Sequence, residues 1–196
     1  MYEGLEAQGI TPGEEFVTAV EEGVNLGSLI ILGDRRMDIT MKRIANAIVF
    51  HPPDPKAMME ADRNISAKLK ASIPELSQLE EQLKREGRRE LSTEELAMFV
   101  ERMKTKDITM GIMNEIKKAA PELHQALVGE RDVYMARGMD VAFSSSLASI
   151  LPPQDVSGIS HFSLQTMVAV VGLGHVSGVG TELKRLGWQK FIPSQC

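Results

Sequence analysis

The chain has 196 residues, of which 43% are hydrophobic and 25% are charged, and its formal net charge is -5 at pH 7. These proportions are those of a globular protein and the length suits one domain, so global disorder is excluded. The acidic balance argues against a nucleic-acid partner, because phosphate binding needs clustered Lys and Arg.

The cysteine content and the length of the apolar segments indicate where in the cell the protein is located. The one cysteine, Cys196, excludes a disulfide framework and a cysteine metal site, and fits a reducing compartment. No apolar run approaches the roughly 18 residues of a membrane span, and the amino terminus does not resemble a signal peptide. We therefore expect an intracellular, cytoplasmic protein without a transmembrane segment.

The first predicted elements are a helix and a strand. A helix is predicted to begin after Thr11, which is its N-cap. Pro12 occupies the first turn, and Glu14 is placed to complete a capping box. Residues 28–32 are a continuous apolar run closed by Gly33, which predicts a short strand covered on both faces.

A long helical stretch follows. Residues 38–50 place their apolar side chains on one face, so they are predicted to form an amphipathic helix. Residues 56–87 favour helix, although Pro74 must break or kink them, and Gly87 marks a carboxyl end. Ser92 opens a further helix with a capping box.

A helix is predicted to begin at Pro121 and to continue through Met139. Arg131 points into the middle of its apolar arc, and Glu130 lies at the edge of that arc. Burying an unpaired guanidinium is very costly, so Arg131 must meet a carboxylate or an anionic ligand. The expected partner is Asp34 or Glu130, and the pair is either an internal ion pair or part of a functional cleft.

Asp34 and Arg35 come directly after the first predicted strand. In α/β folds this position contacts ligands, because sites lie outside the carboxyl ends of strands. The same pattern also fits a turn in which Asp34 caps backbone amides and Arg35 is solvated. The segment 144–160, with its paired prolines, is the most loop-like stretch.

A second apolar run, 167–171, leads into a glycine loop. Gly172 and Gly174 allow the backbone to approach a ligand. His175 in this loop is a candidate metal ligand or acid–base group, although a lone histidine also fits a structural role. The glycine spacing differs from G-x-G-x-x-G, so no nucleotide cofactor is predicted. A short helix is expected at 181–186.

The predicted fold is α/β: helix-rich, with a small, mostly parallel sheet built from 28–32, 167–171 and a short edge strand at 190–192. Such a sheet is too small to be stable by itself. An upstream segment, a partner chain or unrecognised strands would have to complete it. Parallel strands would bring Asp34 and His175 to one edge of the sheet.

Four short motifs occur along the chain, at 12–16, 32–43, 130–135 and 170–178. Their order and spacing resemble the TraB domain family, particularly its eukaryotic members. The resemblance implies a single TraB-like domain over 1–196, with a long helical insertion at about 55–120. This family is similar to the TIKI, erythromycin esterase and ChaN-like superfamily, some of whose members are metal-dependent proteases or hydrolases.

The family's site uses two G-x-x-H motifs, and the second corresponds here to residues 172–175. The resemblance therefore implies that His175 is a metal ligand and that Gly172 and Gly174 contact the bound group. The expected cofactor is a divalent metal ion of unassigned identity, and the expected substrate is a peptide or a small molecule.

The family's acidic and arginine positions correspond to Asp34, Arg35, Glu130 and Arg131, which the resemblance implies as catalytic residues. The chain departs from the family at its front, because the first G-x-x-H motif does not lie ahead of Met1. We therefore expect the N-terminal strands to be missing and hydrolase activity to be impaired.

The alternative function is non-catalytic. The resemblance also allows an interaction or tethering protein at mitochondrial or endoplasmic reticulum membranes, with an organelle-membrane protein as its partner. The location would then be the mitochondrial outer membrane or the endoplasmic reticulum. Homo-oligomerisation stays open.

Overall fold

A computed structural model describes residues 13–88, 90–150 and 167–189, with residues 145–150 described by their backbone only. In these ranges the elements are α1 (Glu14–Asn25), α2 (Met37–Phe50), α3 (Pro55–Ser72), α4 (Glu75–Glu86), α5 (Thr93–Met103), α6 (Lys106–Ala119), α7 (Pro121–His124), a π-helical turn (Gln125–Gly129), α8 (Glu130–Ile150) and α9 (Val176–Arg185).

The helix ends follow local signals in the sequence. The Ser92 side chain accepts a hydrogen bond from the backbone N–H of Glu95, whose carboxylate accepts from the backbone N–H of Ser92, so the predicted capping box is confirmed. Pro74 separates α3 from α4, and Gly87 ends α4 with a φ of 65°, a left-handed conformation that favours glycine. The predicted N-cap of α1, Thr11, lies outside the described residues.

The predicted sheet is wrong for the described part of the chain, which is helical and contains no strand. Residues 28–32 and 167–171 are irregular, and Leu32 keeps 88% of its surface exposed. A strand forms only when a neighbouring backbone completes its hydrogen bonds. The described residues supply no such neighbour to either run, so apolar continuity did not produce strands.

The remaining expectations about the fold have different outcomes. The predicted edge strand at 190–192 lies outside the described residues. The helix that begins at Pro121 is confirmed, but it continues to Ile150, so the loop predicted from residue 144 is wrong as far as residue 150. The assignment of a single domain with a helical insertion stays a prediction.

The most deeply buried apolar cluster joins α8 to α9. It contains Met135, Ala136 and Val179, and Ala136 has no exposed surface. Trp188, just beyond α9, donates a hydrogen bond from Nε1 to Asp140 at 2.8 Å and packs edge-on against a phenylalanine of α8, with 5.0 Å between the ring centroids. The start of α8 and the residues around α9 are therefore fixed relative to each other.

A buried carboxylate joins α3 to α6. Glu115 accepts hydrogen bonds from Lys68, Lys118 and Asn64, which lower the pKa of Glu115 to about 2. These donors satisfy a charge that would otherwise be costly to bury.

None of the helices that the structure describes is both long enough and apolar enough to span a bilayer.

The π-helical turn lies between α7 and α8, immediately before Glu130. Two of its backbone carbonyls accept hydrogen bonds from side chains: Ala126 from Arg35 at 2.7 Å and Leu127 from Arg131 at 3.2 Å. Turns of this kind inside α-helices occur frequently at functional sites. This turn positions the first residues of α8.

Candidate functional site

The start of α8 binds two distant parts of the chain. Its first three residues are consecutive in sequence, and each contacts a different partner. Glu130 and Arg131 bind the segment that precedes α2, and Asp132 binds the residue that precedes α9. Three of the four motifs that carry the family resemblance, 32–43, 130–135 and 170–178, therefore meet at one place.

Arg131 forms a bidentate ion pair with Asp34. Its Nε lies 3.0 Å from Oδ1 and its Nη2 lies 2.5 Å from Oδ2. These hydrogen bonds lower the pKa of Asp34 and raise the pKa of Arg131. The predicted pairing is confirmed, although the Arg131 side chain, 23% exposed, is only partly buried.

Arg35 is the more deeply buried arginine, with 8% of its side chain exposed. Its Nη1 donates to Glu130 Oε2 at 2.5 Å, its Nη2 donates to Ala126, and its Nε donates to Thr40 Oγ1 at 3.2 Å. Arg43 lies 3.7 Å from the same oxygen of Glu130. The reading of Arg35 as a solvated turn residue is therefore wrong, because its guanidinium crosses to the π turn and α8.

His175 is held by Asp132. Its Nδ1 lies 2.6 Å from Oδ1 of Asp132, and the two side chains are 12% and 9% exposed. Among the described residues, Nε2 of His175 has no hydrogen-bond partner. An Asp–His pair of this kind leaves one imidazole nitrogen engaged and the other available for chemistry.

Asp132 is the residue that sequence reasoning missed. It follows Arg131 directly, but its partner lies 43 residues away along the chain, and helical spacing carries no information about that contact. The available signal was an acidic residue beside a predicted buried arginine within a family motif. That signal marks a candidate without identifying its partner.

The glycines of the site have unequal importance. A Cβ added at Gly172 or Gly174 would be 3.8 Å from the nearest side-chain atom, which is an ordinary contact. A Cβ added at Gly178 would overlap Oδ2 of Asp132 and lie 2.5 Å from its Cγ. Gly178 is thus required for the position of Asp132, while a ligand-contacting role for Gly172 and Gly174 stays a prediction.

The donor atoms around His175 determine whether the site can hold a divalent metal ion. Catalytic ions usually have about three protein ligands. In the described part of the chain no three histidine, cysteine or acidic side chains are grouped to hold an ion, and arginines bind the carboxylates of Asp34 and Glu130. The described donors do not by themselves fit such an ion, and His175 Nε2 is the one open imidazole nitrogen among these contacts.

The chain is similar to proteins from an archaeon and from mammals. It is 28% identical over 181 residues to an uncharacterized protein of Methanocaldococcus jannaschii, covering 92% of this chain and 34% of the relative. It is 29% identical to a TraB domain-containing protein of Mus musculus and 28% identical to one of Homo sapiens, each over 182 residues. These mammalian matches cover 89% of this chain and 38% of the relative. No family model and no solved structure matches the chain.

Proposed function

Because this chain belongs to the TraB domain family, we propose that it carries a hydrolytic site centred on His175. The observation that supports this function is the convergence of Asp34, Arg35 and His175 on the first three residues of α8. The chain spans 34% to 38% of the length of these curated relatives, so the activity of a whole protein is part of the proposal.

His175 acts as the acid–base group in this proposal. Its Nε2 accepts a proton from a water molecule whose oxygen attacks the carbonyl carbon of a peptide or small-molecule substrate. The imidazolium then returns the proton to the leaving group, so no net proton is consumed. Imidazole suits both steps because its ordinary pKa lies near neutral pH.

The charged residues near His175 have a positioning role in this proposal. Both oxygens of Asp34 accept from Arg131, and Oε2 of Glu130 accepts from Arg35. Glu130 is therefore less suited to act as a base, because the lone pairs of that oxygen already face guanidinium groups. We assign Asp34, Arg35, Glu130 and Arg131 to holding the start of α8 in place.

The test is hydrolysis of a fluorogenic peptide library and a set of ester substrates by the full chain. His175→Ala should lose roughly 100-fold or more in rate, the range that general acid–base catalysis contributes. The matched control is His51→Ala, which removes an exposed histidine at the end of α2 and should keep full activity. Equal activity in the wild type and His175→Ala would refute the proposal.

The divalent metal ion stays a prediction of the resemblance. One imidazole nitrogen with carboxylates already bound to arginines should hold a transition metal ion weakly. Calorimetric titration with Zn²⁺ should therefore give weak binding that His175→Ala abolishes. Tight binding that does not depend on His175 would remove His175 as the metal ligand.

A second candidate is the tethering function, and the exposed apolar surface between α1 and the end of α2 favours it. Leu26, Leu29 and Leu32 lie on the segment between these helices, and Val49 and Phe50 end α2, all with more than half of their surface exposed. Exposed apolar side chains in such number are found at protein or membrane contacts. The proposed partner is a protein of the mitochondrial or endoplasmic reticulum membrane.

Flotation with isolated microsomes and mitochondria tests this second function. Leu32→Asp should reduce binding, whereas Met59→Asp, which alters an exposed methionine on α3, should not. Trypsin treatment of the organelle surface should abolish binding if the partner is a protein. Binding that persists on trypsin-treated organelles and equals binding to phosphatidylcholine vesicles would contradict a protein tether.

A further inference from the structure

We propose that Asp132 is a positioning residue that holds His175 in a single tautomer, with the proton on Nδ1 and the lone pair on Nε2. This inference rests on the proposed function, since it decides which nitrogen of His175 accepts the proton. It concerns a residue to which the family motifs assign no role in this chain.

The hydrogen bond between Asp132 and His175 determines which ring nitrogen carries the proton. An ionised carboxylate accepts hydrogen bonds and donates none. At 2.6 Å from Oδ1 of Asp132, Nδ1 of His175 must therefore be the donor. The second nitrogen of a neutral imidazole is then an acceptor, because the hydrogen bond at one nitrogen fixes the tautomer of the ring.

Gly178 provides the second, independent observation. It lies within α9, one turn beyond His175, and a side chain at this position would overlap the carboxylate of Asp132. A glycine inside a helix costs about 0.5 to 1 kcal/mol relative to alanine. Gly178 therefore weakens α9, but it stands where any larger residue would overlap the carboxylate of Asp132.

The packing of α8 against α9 also fixes the positions of Asp132 and His175. Asp132 lies one turn before Ala136, which is fully buried against α9, and His175 is the residue from which α9 begins. Both side chains are thus attached to helices that are packed against each other. This arrangement gives the imidazole one orientation as well as one tautomer.

The experiment measures the tautomer directly in the protein without substrate. The chain is labelled with ¹⁵N-histidine, and the ring nitrogens of its four histidines are observed by long-range ¹H–¹⁵N correlation. His175→Gln assigns the His175 signals by their disappearance. The wild type should show a protonated Nδ1 and an unprotonated Nε2 at pH values where this imidazole is neutral.

Asp132→Ala should shift the His175 signals to a mixture of tautomers, or to protonated Nε2. The matched control is Asp140→Ala, which removes the other carboxylate that links α8 to the chain around α9 and should leave the His175 tautomer unchanged. If Asp132→Ala does not fold, Asp132→Asn should still show a weaker hydrogen bond, seen as an upfield shift of the Nδ1 proton.

The outcomes separate this inference from the proposed function. Protonated Nε2 in the wild type, or an unchanged tautomer in folded Asp132→Ala, would overturn the positioning role whatever the activity. The expected tautomer in a chain that hydrolyses nothing would support the positioning role and refute the hydrolytic function. If both hold, Asp132→Ala should lower the hydrolytic rate by at most the roughly 100- to 10,000-fold that general acid–base catalysis contributes, and should change KM little.

Discussion

Gly178→Ala is the substitution that tests the site most directly. The added Cβ would overlap Oδ2 of Asp132 and lie 2.5 Å from its Cγ, where real Cβ atoms keep at least 3.0 Å. The obstacle is a buried carboxylate rather than the free end of a flexible chain. Asp132 must therefore move, and its hydrogen bond to His175 must lengthen or break.

Three effects determine how much Gly178→Ala lowers the free energy of unfolding. Loss of a hydrogen bond to a charged group costs about 1.5 to 3 kcal/mol. Forcing an extra methyl group into a packed site costs roughly 1 to 3 kcal/mol. Alanine in place of glycine within a helix returns about 0.5 to 1 kcal/mol. We expect a net loss of about 2 to 5 kcal/mol in the free energy of unfolding.

Urea denaturation followed by circular dichroism measures this loss as a lower midpoint at an unchanged slope. Gly180→Ala is the matched control, because a Cβ at Gly180 of α9 meets no atom within 4 Å. That variant should be as stable as the wild type or up to about 1 kcal/mol more stable.

The double variant Asp132→Ala, Gly178→Ala identifies the cause. Without the Asp132 carboxylate, the two nearest atoms in the way of the new Cβ are gone and only Cβ of Asp132 remains, at 3.2 Å. The cost of Gly178→Ala in that background should therefore fall toward the value found for Gly180→Ala. A single Gly178→Ala variant as stable as the wild type would refute the steric reasoning.

Three further predictions concern charges and the end of α9. The lowered pKa of Glu115, about 2 against an ordinary 4.5, means that its stabilisation is complete above the ordinary value and lost as the pH falls toward 2. Urea midpoints of Glu115→Gln should thus depend less on pH in that window than those of the wild type, and parallel curves would contradict this. Arg35→Ala leaves Glu130 without its closest cation and should cost roughly 2 to 4 kcal/mol, while Arg36→Ala, at an exposed pair, should stay within about 0.5 kcal/mol. Equal midpoints for these two variants would refute the assigned burial. Trp188→Phe removes the indole donor and should lower the unfolding free energy by about 1 to 2 kcal/mol, measured by the same denaturation.

Features set by local chemistry could be predicted from the sequence. The capping box at Ser92, the break at Pro74 and the left-handed end at Gly87 each depend on a few neighbouring residues. The need of Arg131 for a carboxylate could also be predicted, because a guanidinium in an apolar arc must be paired, and Asp34 was one of its two expected partners. In each case one strong physical requirement acted on a short list of residues.

Features that depend on distant partners could not be predicted. An apolar run such as 28–32 becomes a strand only if another backbone pairs with it, and composition does not say whether one does. The burial of Arg35 depends on acceptors in the π turn and α8, and the contact between Asp132 and His175 depends on how α9 packs on α8. The residues of the site were therefore easier to identify than their pairings.

The π-helical turn at Gln125–Gly129 sets the rotational phase of α8 relative to α7. The π turn takes up about one residue more per turn than α-helical winding does. If all five of its residues wound as an α-helix instead, everything downstream would be rotated by roughly 100°. Glu130, Arg131 and Asp132 would then turn away from their partners together, since they are consecutive on one rigid helix. Point substitutions at these three residues weaken the contacts one at a time, whereas loss of the π turn without loss of a residue would disengage all three at once.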